Sequence, residues 1–121
     1  PFLKVALAGG AAVKLAEYDM FHRGDWSDDG WLYWTARYPG GIVRIRDTGG
    51  EPEAVTSLDV AGGERSHRFA SLLPGGDALL YTVGFEGIDN YDDARIAAAR
   101  PPTNWSWARR CRARQCGRSR W

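Results

Sequence analysis

Two stretches, FLKVALAGGAAVKL (residues 2–15) and GIVRIRDTGGEPEAV (residues 41–55), carry one pattern. Laying Gly9-Gly10 on Gly49-Gly50 puts Leu3 on Val43, Lys4 on Arg44 and Val5 on Ile45, a shift of 40 residues. Apolar and charged side chains alternate in both, the period-two signature of a strand with one buried face. The paired glycines supply the positive φ that a tight reversal requires. A short returning strand follows each, AAVKL and PEAVT. Self-similarity at this spacing marks stacked arrays, so the pairing sets the expectation for the rest of the chain.

A second pair of stretches extends the repeat. In FHRGDWSDDGWLYWT (residues 21–35), His22-Arg23 precedes an acidic turn and an aromatic run. His67-Arg68, at a shift of 45, precedes the turn LLPGGD and the apolar run ALLYTV. Asp29-Gly30 and Gly75-Gly76 are the turns. Leu32-Tyr33-Trp34-Thr35 falls on Leu79-Leu80-Tyr81-Thr82 at a shift of 47, so the second turn is slightly longer. Trp, Tyr, Leu and Thr favour strands here, and the Gly, Asp and Pro between them favour turns. One unit is therefore four antiparallel strands in roughly 40–47 residues, the size of a propeller blade. The expectation is an all-β chain: a β-propeller fragment of about two four-stranded antiparallel blades within residues 1–100. The blade pieces fall at about 2–16, 20–57 and 65–98. GIDNYDDARIAAA (residues 87–99) admits only a short turn of helix before the next alternating strand.

Composition is consistent with this. The chain has 121 residues, 44% hydrophobic and 26% charged, values of an ordinary globular domain able to bury a core. No run approaches the roughly 20 apolar residues of a membrane-spanning helix. PFLKVALAGGAAVKLAEY is a poor leader: it lacks a basic start, and Lys4 and Lys14 interrupt its apolar run. A start at Pro1 suggests a piece of something longer. The net charge of +1 hides a split. Residues 1–100 hold ten Lys or Arg against fifteen Asp or Glu, a balance of −5. Residues 101–121 hold six Arg and no acid, a balance of +6. Both cysteines, Cys111 and Cys116, and three of the six Trp also lie there, so nothing in the body depends on a thiol. Such a tail is either a segment for nucleic acid or anionic lipid, or a disordered or out-of-frame end. The second is favoured, because after Ala94-Arg95-Ile96 the repeat supplies neither its Gly-Gly turn nor a recognisable return strand.

GGEPEAVTSLD, GERSHRFASLLPGGDALLYTV and WSDDGWLYW resemble the repeats of TolB-like, WD-like propellers. They are most similar to the propeller regions that follow the kinase domain in bacterial eukaryote-like serine/threonine kinases. That family repeats a DG turn after Trp-Ser, a GG-x-P-x-x-L-T pattern and an SHR-x-x-x-x-LP-G-G pattern, and the likeness spans about residues 2–98. Asp28 departs from the family's Pro, and Leu73-Pro74-Gly75-Gly76 lacks its Asp before Gly. The resemblance implies a non-enzymatic sensor or scaffold module that binds protein or peptide partners, in a periplasmic or extracellular setting, as part of a larger receptor-like kinase. No cofactor is expected. Kinase chemistry itself is missing: there is no Gly-rich ATP loop, and the HRGD run at residues 22–25 has Gly30 where the catalytic Asn belongs. The rival readings are a gating propeller of a prolyl-peptidase-type hydrolase and, if the tail is genuine, a nucleic-acid or anionic-membrane binder.

The residues best placed for ligand binding are His22, Arg23, His67 and Arg68. On the innermost strand of a blade they would line a central funnel, the arginines gripping an anionic group. Against this, duplication alone explains the pair, each His bonding a neighbouring blade and each Arg meeting a carboxylate. Two histidines also fall short of a zinc site. Glu86, Asp89, Asp92 and Asp93 are a candidate Ca²⁺ cluster, although their spacing matches no EF-hand loop and suits a solvated insertion. Ser66, His67 and Ser71 lack the G-x-S-x-G elbow of a hydrolase. The glycine pairs at 40–41, 49–50 and 62–63 lack the Lys-Ser/Thr of a phosphate loop. Trp26, Trp31, Tyr33, Trp34 and Tyr38 are expected to pack between blades. Arrays need about three units to cover their faces, so self-association through open blade faces is also expected.

Overall fold

The computed structural model describes residues 1–17, 23–35, 37–88, 90–100 and 109–112. Alternation has produced strands throughout. Three antiparallel sheets follow one another along the chain. The first is a hairpin of β1 (Phe2–Lys4) and β2 (Val13–Ala16). The second is a meander of β3 (Asp25–Trp26), β4 (Trp31–Thr35), β5 (Ile42–Arg46) and β6 (Glu53–Ala54), paired in chain order. The third runs β7 (Glu64–Leu72), β8 (Leu79–Phe85), β9 (Arg95–Ala99) and β10 (Arg109–Arg112), again in chain order. A 3₁₀ turn at Tyr91–Asp93 precedes β9, within the stretch that admits a short helical turn. No helix among the described residues is long and apolar enough to cross a membrane.

The 40-residue repeat is present in the backbone. Leu3 pairs with Lys14 and Lys4 with Val13; at the shifted positions Val43 pairs with Ala54 and Arg44 with Glu53. Gly9 and Gly10 have φ of 90° and 125°, and Gly49 and Gly50 have 89° and 125°. An amide at the first glycine of each pair closes the turn, Gly9 onto Ala6 and Gly49 onto Arg46, both at 2.9 Å. The β3–β4 and β7–β8 turns also share their closure. Gly30 donates to Ser27 at 3.0 Å and Gly76 to Leu73 at 2.9 Å.

Strand alternation then decides the layering. On β4, Leu32 and Trp34 point one way and Tyr33 the other, as period two requires. Leu32, Trp34 and Ile45 bury against Phe2, Leu15 and Ala16 of the hairpin. Tyr33, Ile42 and Val55 bury against Leu79, Tyr81, Val83, Ala97 and Ala99 of the third sheet. The second sheet is thus the middle layer, covered on both faces. Trp34 is only 1% exposed, with the Phe2 ring 5.2 Å away. Burying each such side chain contributes on the order of 1.5–3 kcal/mol.

Two expectations change. The return strand does arrive: β10 pairs in register with β9, Cys111 opposite Ile96 and Arg112 opposite Arg95. No Gly-Gly pair announces it, because a longer connection replaces the tight turn. Residues 109–112 of the Arg-rich tail thus lie in the third sheet; residues 101–108 and 113–121 lie outside the described residues. The third piece accordingly runs past residue 98, to Arg112. Of the aromatic set, Tyr33 and Trp34 pack between sheets, but Trp26 and Tyr38 are about half exposed. Trp26 lies on the short edge strand β3, with the Lys4 ammonium of β1 5.3 Å from its ring centroid.

Candidate functional site

The second and third sheets meet along β7, and that seam gathers most of the polar chemistry. At one end the β4–β5 connection approaches β7. The Gly40 amide donates to the Arg65 carbonyl, and the His67 amide donates to the Gly40 carbonyl at 3.0 Å. The Thr35 hydroxyl donates to the His67 carbonyl at 2.8 Å. Gly41 is required there: a Cβ would overlap the Thr56 carbonyl oxygen.

The His67 ring completes the junction. Its Nε2 lies 3.1 Å from Glu64 Oε2, and its Nδ1 lies 2.7 Å from Thr56 Oγ1. Glu64 Oε2 also accepts the Asp59 amide at 2.7 Å, and Thr56 Oγ1 accepts the Ile42 amide at 2.8 Å. Thr56 Oγ1 thus holds the Ile42 amide and the His67 ring together, and Glu64 Oε2 holds the same ring and the Asp59 amide. Carboxylate, imidazole and hydroxyl in this order are the groups of a nucleophilic triad. Here the imidazole and carboxylate are each only 2% exposed and the hydroxyl is held on both sides. The relay serves to tie the loop after β6 to β7. The His67 ring thus bonds Thr56 in the loop after β6 as well as Glu64 on its own strand.

At the other end of the seam Asp25 makes the tie. Its Oδ2 accepts the Leu72 amide at 2.7 Å and its Oδ1 accepts the Trp26 amide at 2.9 Å. Beside it, Arg23, Gly24 and Asp25 of the second sheet and Phe69, Ala70 and Ser71 of the third line a cleft of about 410 Å³. Phe69 sits in the irregularity between Arg68 and Ser71, where β7 loses register with β8. Its φ is 56°, the single positive value among the described non-glycine residues. The residue is 44% exposed. Below the seam, Trp31 carries the Arg44 and Arg46 guanidiniums at 3.8 and 4.0 Å from its ring centroid. Burial raises the Tyr33 phenol above its ordinary pKa, and a hydrogen bond from Arg44 opposes that rise.

The sequence candidates separate as follows. Arg23 is exposed and lines the cleft. Arg68 is half-buried, its Nε donating to Ser66 Oγ at 2.9 Å and its guanidinium 5.3 Å from the Tyr38 ring. His22 lies outside the described residues. Of the acidic set, Glu86 is bonded to Arg65 across β7 and β8. Asp92 and Asp93 are exposed in the 3₁₀ turn, with the Asp92 amide donating to Asn90 at 2.9 Å. Asp89 lies outside the described residues. Among the described residues no three His, Cys, Asp or Glu side chains gather closely enough to hold a metal ion. Sequence reasoning missed Glu64, Thr56 and Phe69. Glu64 stands three residues before His67, the one available signal; nothing in the order of residues marks a left-handed Phe. In comparisons with known protein families, curated proteins and solved structures, the chain matches none.

Proposed function

We propose that the chain is a propeller-type, non-enzymatic interaction module. It binds an extended peptide or protein segment in the cleft between β3 and β7. Successive four-stranded meanders stacked face to face support the blade reading, since each unit leaves its turns at the ends of the stack for recognition. The observation that carries the binding site is Phe69. A bulky residue in the left-handed region costs on the order of 1–2 kcal/mol, and such outliers cluster at ligand clamps. Bulges in turn re-aim side chains beside binding sites. Here the bulge places Phe69 in the lining of the cleft that Arg23 and Ser71 also line. An apolar anchor on Phe69, with a carboxylate or chain carbonyl on Arg23, is the ligand chemistry that fits. The resemblance to kinase-associated propellers makes an extracytoplasmic sensor the setting of this proposal.

The test is a fluorescence-anisotropy screen of a mixed peptide library, repeated with Phe69→Gly and Arg23→Glu. Phe69→Gly relieves the backbone, so the expected result is an unchanged or higher melting temperature with peptide binding lost. Arg23→Glu shifts selection from acidic to basic peptides. If Phe69→Gly lowers the melting temperature and leaves binding intact, Phe69 is a packing residue and the site lies elsewhere.

A further inference from the structure

A second cleft continues the first along the same seam. β3 and β7 are the edge strands of their sheets, and residues of both strands stand in the walls of both clefts. Asp25 belongs to both linings, and Ser71 of the first is followed directly by Leu72 of the second. The second cleft has a volume of about 470 Å³ and ends between the β3–β4 and β7–β8 turns. That volume is ordinary for a ligand site. Its charge is one-sided. Asp25, Asp28 and Asp29 line it from the second sheet and Asp77 from the third. Among the described residues its lining holds one cation, Arg44, whose guanidinium is already met by Glu53 at 2.8 Å. Asp25 is committed to the Trp26 and Leu72 amides and Asp29 to the Ser27 hydroxyl. Asp28 and Asp77 are exposed, one on each wall. Trp26, half exposed, adds an apolar surface.

We propose that this second cleft takes a lysine or arginine side chain of the bound peptide, so that the groove selects segments with a basic residue at a set distance from the apolar anchor. The subsite rests on the peptide-binding reading and adds the ligand's charge pattern to it. Carboxylates on facing walls attract a cation. The Trp26 surface suits the aliphatic stem of a long basic side chain, which packs on apolar area while its head stays polar. A bare metal ion fits less well. Among the described residues no three His, Cys, Asp or Glu side chains converge closely enough to hold one, and carboxylates spread along a cleft match a charge carried on a long stem. The spacing follows from β7. Phe69 to Leu72 is three steps along the strand, about 10 Å at the rise of extended chain, which places the basic residue about three or four positions from the anchor. Arg23 lines the first cleft, so the two ends of the groove differ in sign and the segment is held in one direction.

Fluorescence anisotropy of the full chain tests this with labelled peptides that share one apolar residue and carry Arg, Gln or Glu about three or four positions from it. The variant is Asp28→Asn with Asp77→Asn, at exposed turn positions, its fold checked by circular dichroism. The wild type is expected to bind the Arg peptide about tenfold more tightly than the Gln peptide, the sum of two partly exposed charge contacts. The Glu peptide is expected to bind least, and the gap to shrink in roughly 0.5 M salt. The double variant is expected to bind the Gln peptide like the wild type and to lose the preference for Arg. A wild type that binds the Arg and Gln peptides equally overturns the subsite, and so does a folded double variant that keeps the preference. If binding still depends on Phe69 in either case, the peptide-binding reading stands without the subsite. Binding to none of the peptides overturns both. An Arg preference that the double variant removes and Phe69→Gly leaves untouched upholds the subsite and overturns the Phe69 anchor.

Discussion

Replacing Thr56 by Val tests the junction between the sheets most sharply. The side chain keeps its shape and loses only its hydroxyl. That hydroxyl accepts the Ile42 amide at 2.8 Å and meets His67 Nδ1 at 2.7 Å. Ile42 is fully buried and His67 nearly so, so water cannot replace either partner. A buried polar group left without a partner costs about 1–3 kcal/mol. Two such groups give roughly 2–4 kcal/mol once the gain from burying the valine methyl is set against them. Stabilities of single domains are about 5–15 kcal/mol in total. At this chain length about 4 °C of melting temperature accompanies each kcal/mol, so Thr56→Val should melt roughly 10–15 °C lower. Thr56→Ser retains the hydroxyl and should cost less than about 1.5 kcal/mol. Urea unfolding of the three proteins, followed by Trp fluorescence, reads both differences; Trp34 lies in the adjoining core. If Thr56→Val unfolds within experimental error of the wild type while Thr56→Ser is no better, the relay does not hold the sheets together and the reasoning fails.

Other expectations follow from the same seam. Asp25→Ala removes the acceptor of the Leu72 amide and should cost about 1–3 kcal/mol, with Asp25→Asn recovering part of it; equal stabilities for the two variants would count against this tie. Gly41→Ala drives a Cβ into the Thr56 carbonyl and should lower stability by more than about 2 kcal/mol, whereas Gly50→Ala meets nothing within 4 Å and pays only for its positive φ; chemical denaturation would show the order. Burial raises the Tyr33 phenol above 10, so the folded state holds that proton more tightly than the unfolded chain. The stability this represents is full below pH about 10 and is lost as pH rises through the folded value. Tyr33→Phe should therefore flatten the alkaline limb of the stability profile, and an unchanged limb would refute the assignment.

The fold was more legible than the site, for physical reasons. Strand positions and turns follow from alternation and from glycines that backbone geometry demands, and both are local. Gly9-Gly10 and Gly49-Gly50 could be matched before any contact was known, and their φ values agree to within 1°. The hairpin spans Phe2 to Ala16 and the middle sheet Asp25 to Ala54. β10 was missed because its pairing to β9 depends on register with an existing strand, and Arg109–Arg112 carries no alternation of its own. The polar junction was legible only in outline. His67 stood out by rarity, but its partners Thr56 and Glu64 belong to ordinary residue types and meet it through tertiary packing. The cleft depends on a register slip at Phe69 that no turn residue signals.

The central claim is that the second and third sheets stack through a seam anchored where Gly40 bridges β7 beside Ser66. An isotope-edited NOE measurement on the full chain addresses it directly. The account predicts cross-peaks between the Gly40 α-protons and the Ser66 and His67 amides, with the His67 amide protected from exchange by its bond to the Gly40 carbonyl. Cross-peaks within each sheet, such as Tyr33 to Arg44 and Tyr81 to Ala97, serve as the internal reference. If the intra-sheet contacts are present while the Gly40 contacts are absent and the His67 amide exchanges freely, the sheets fold without stacking. The module described here would then be contradicted.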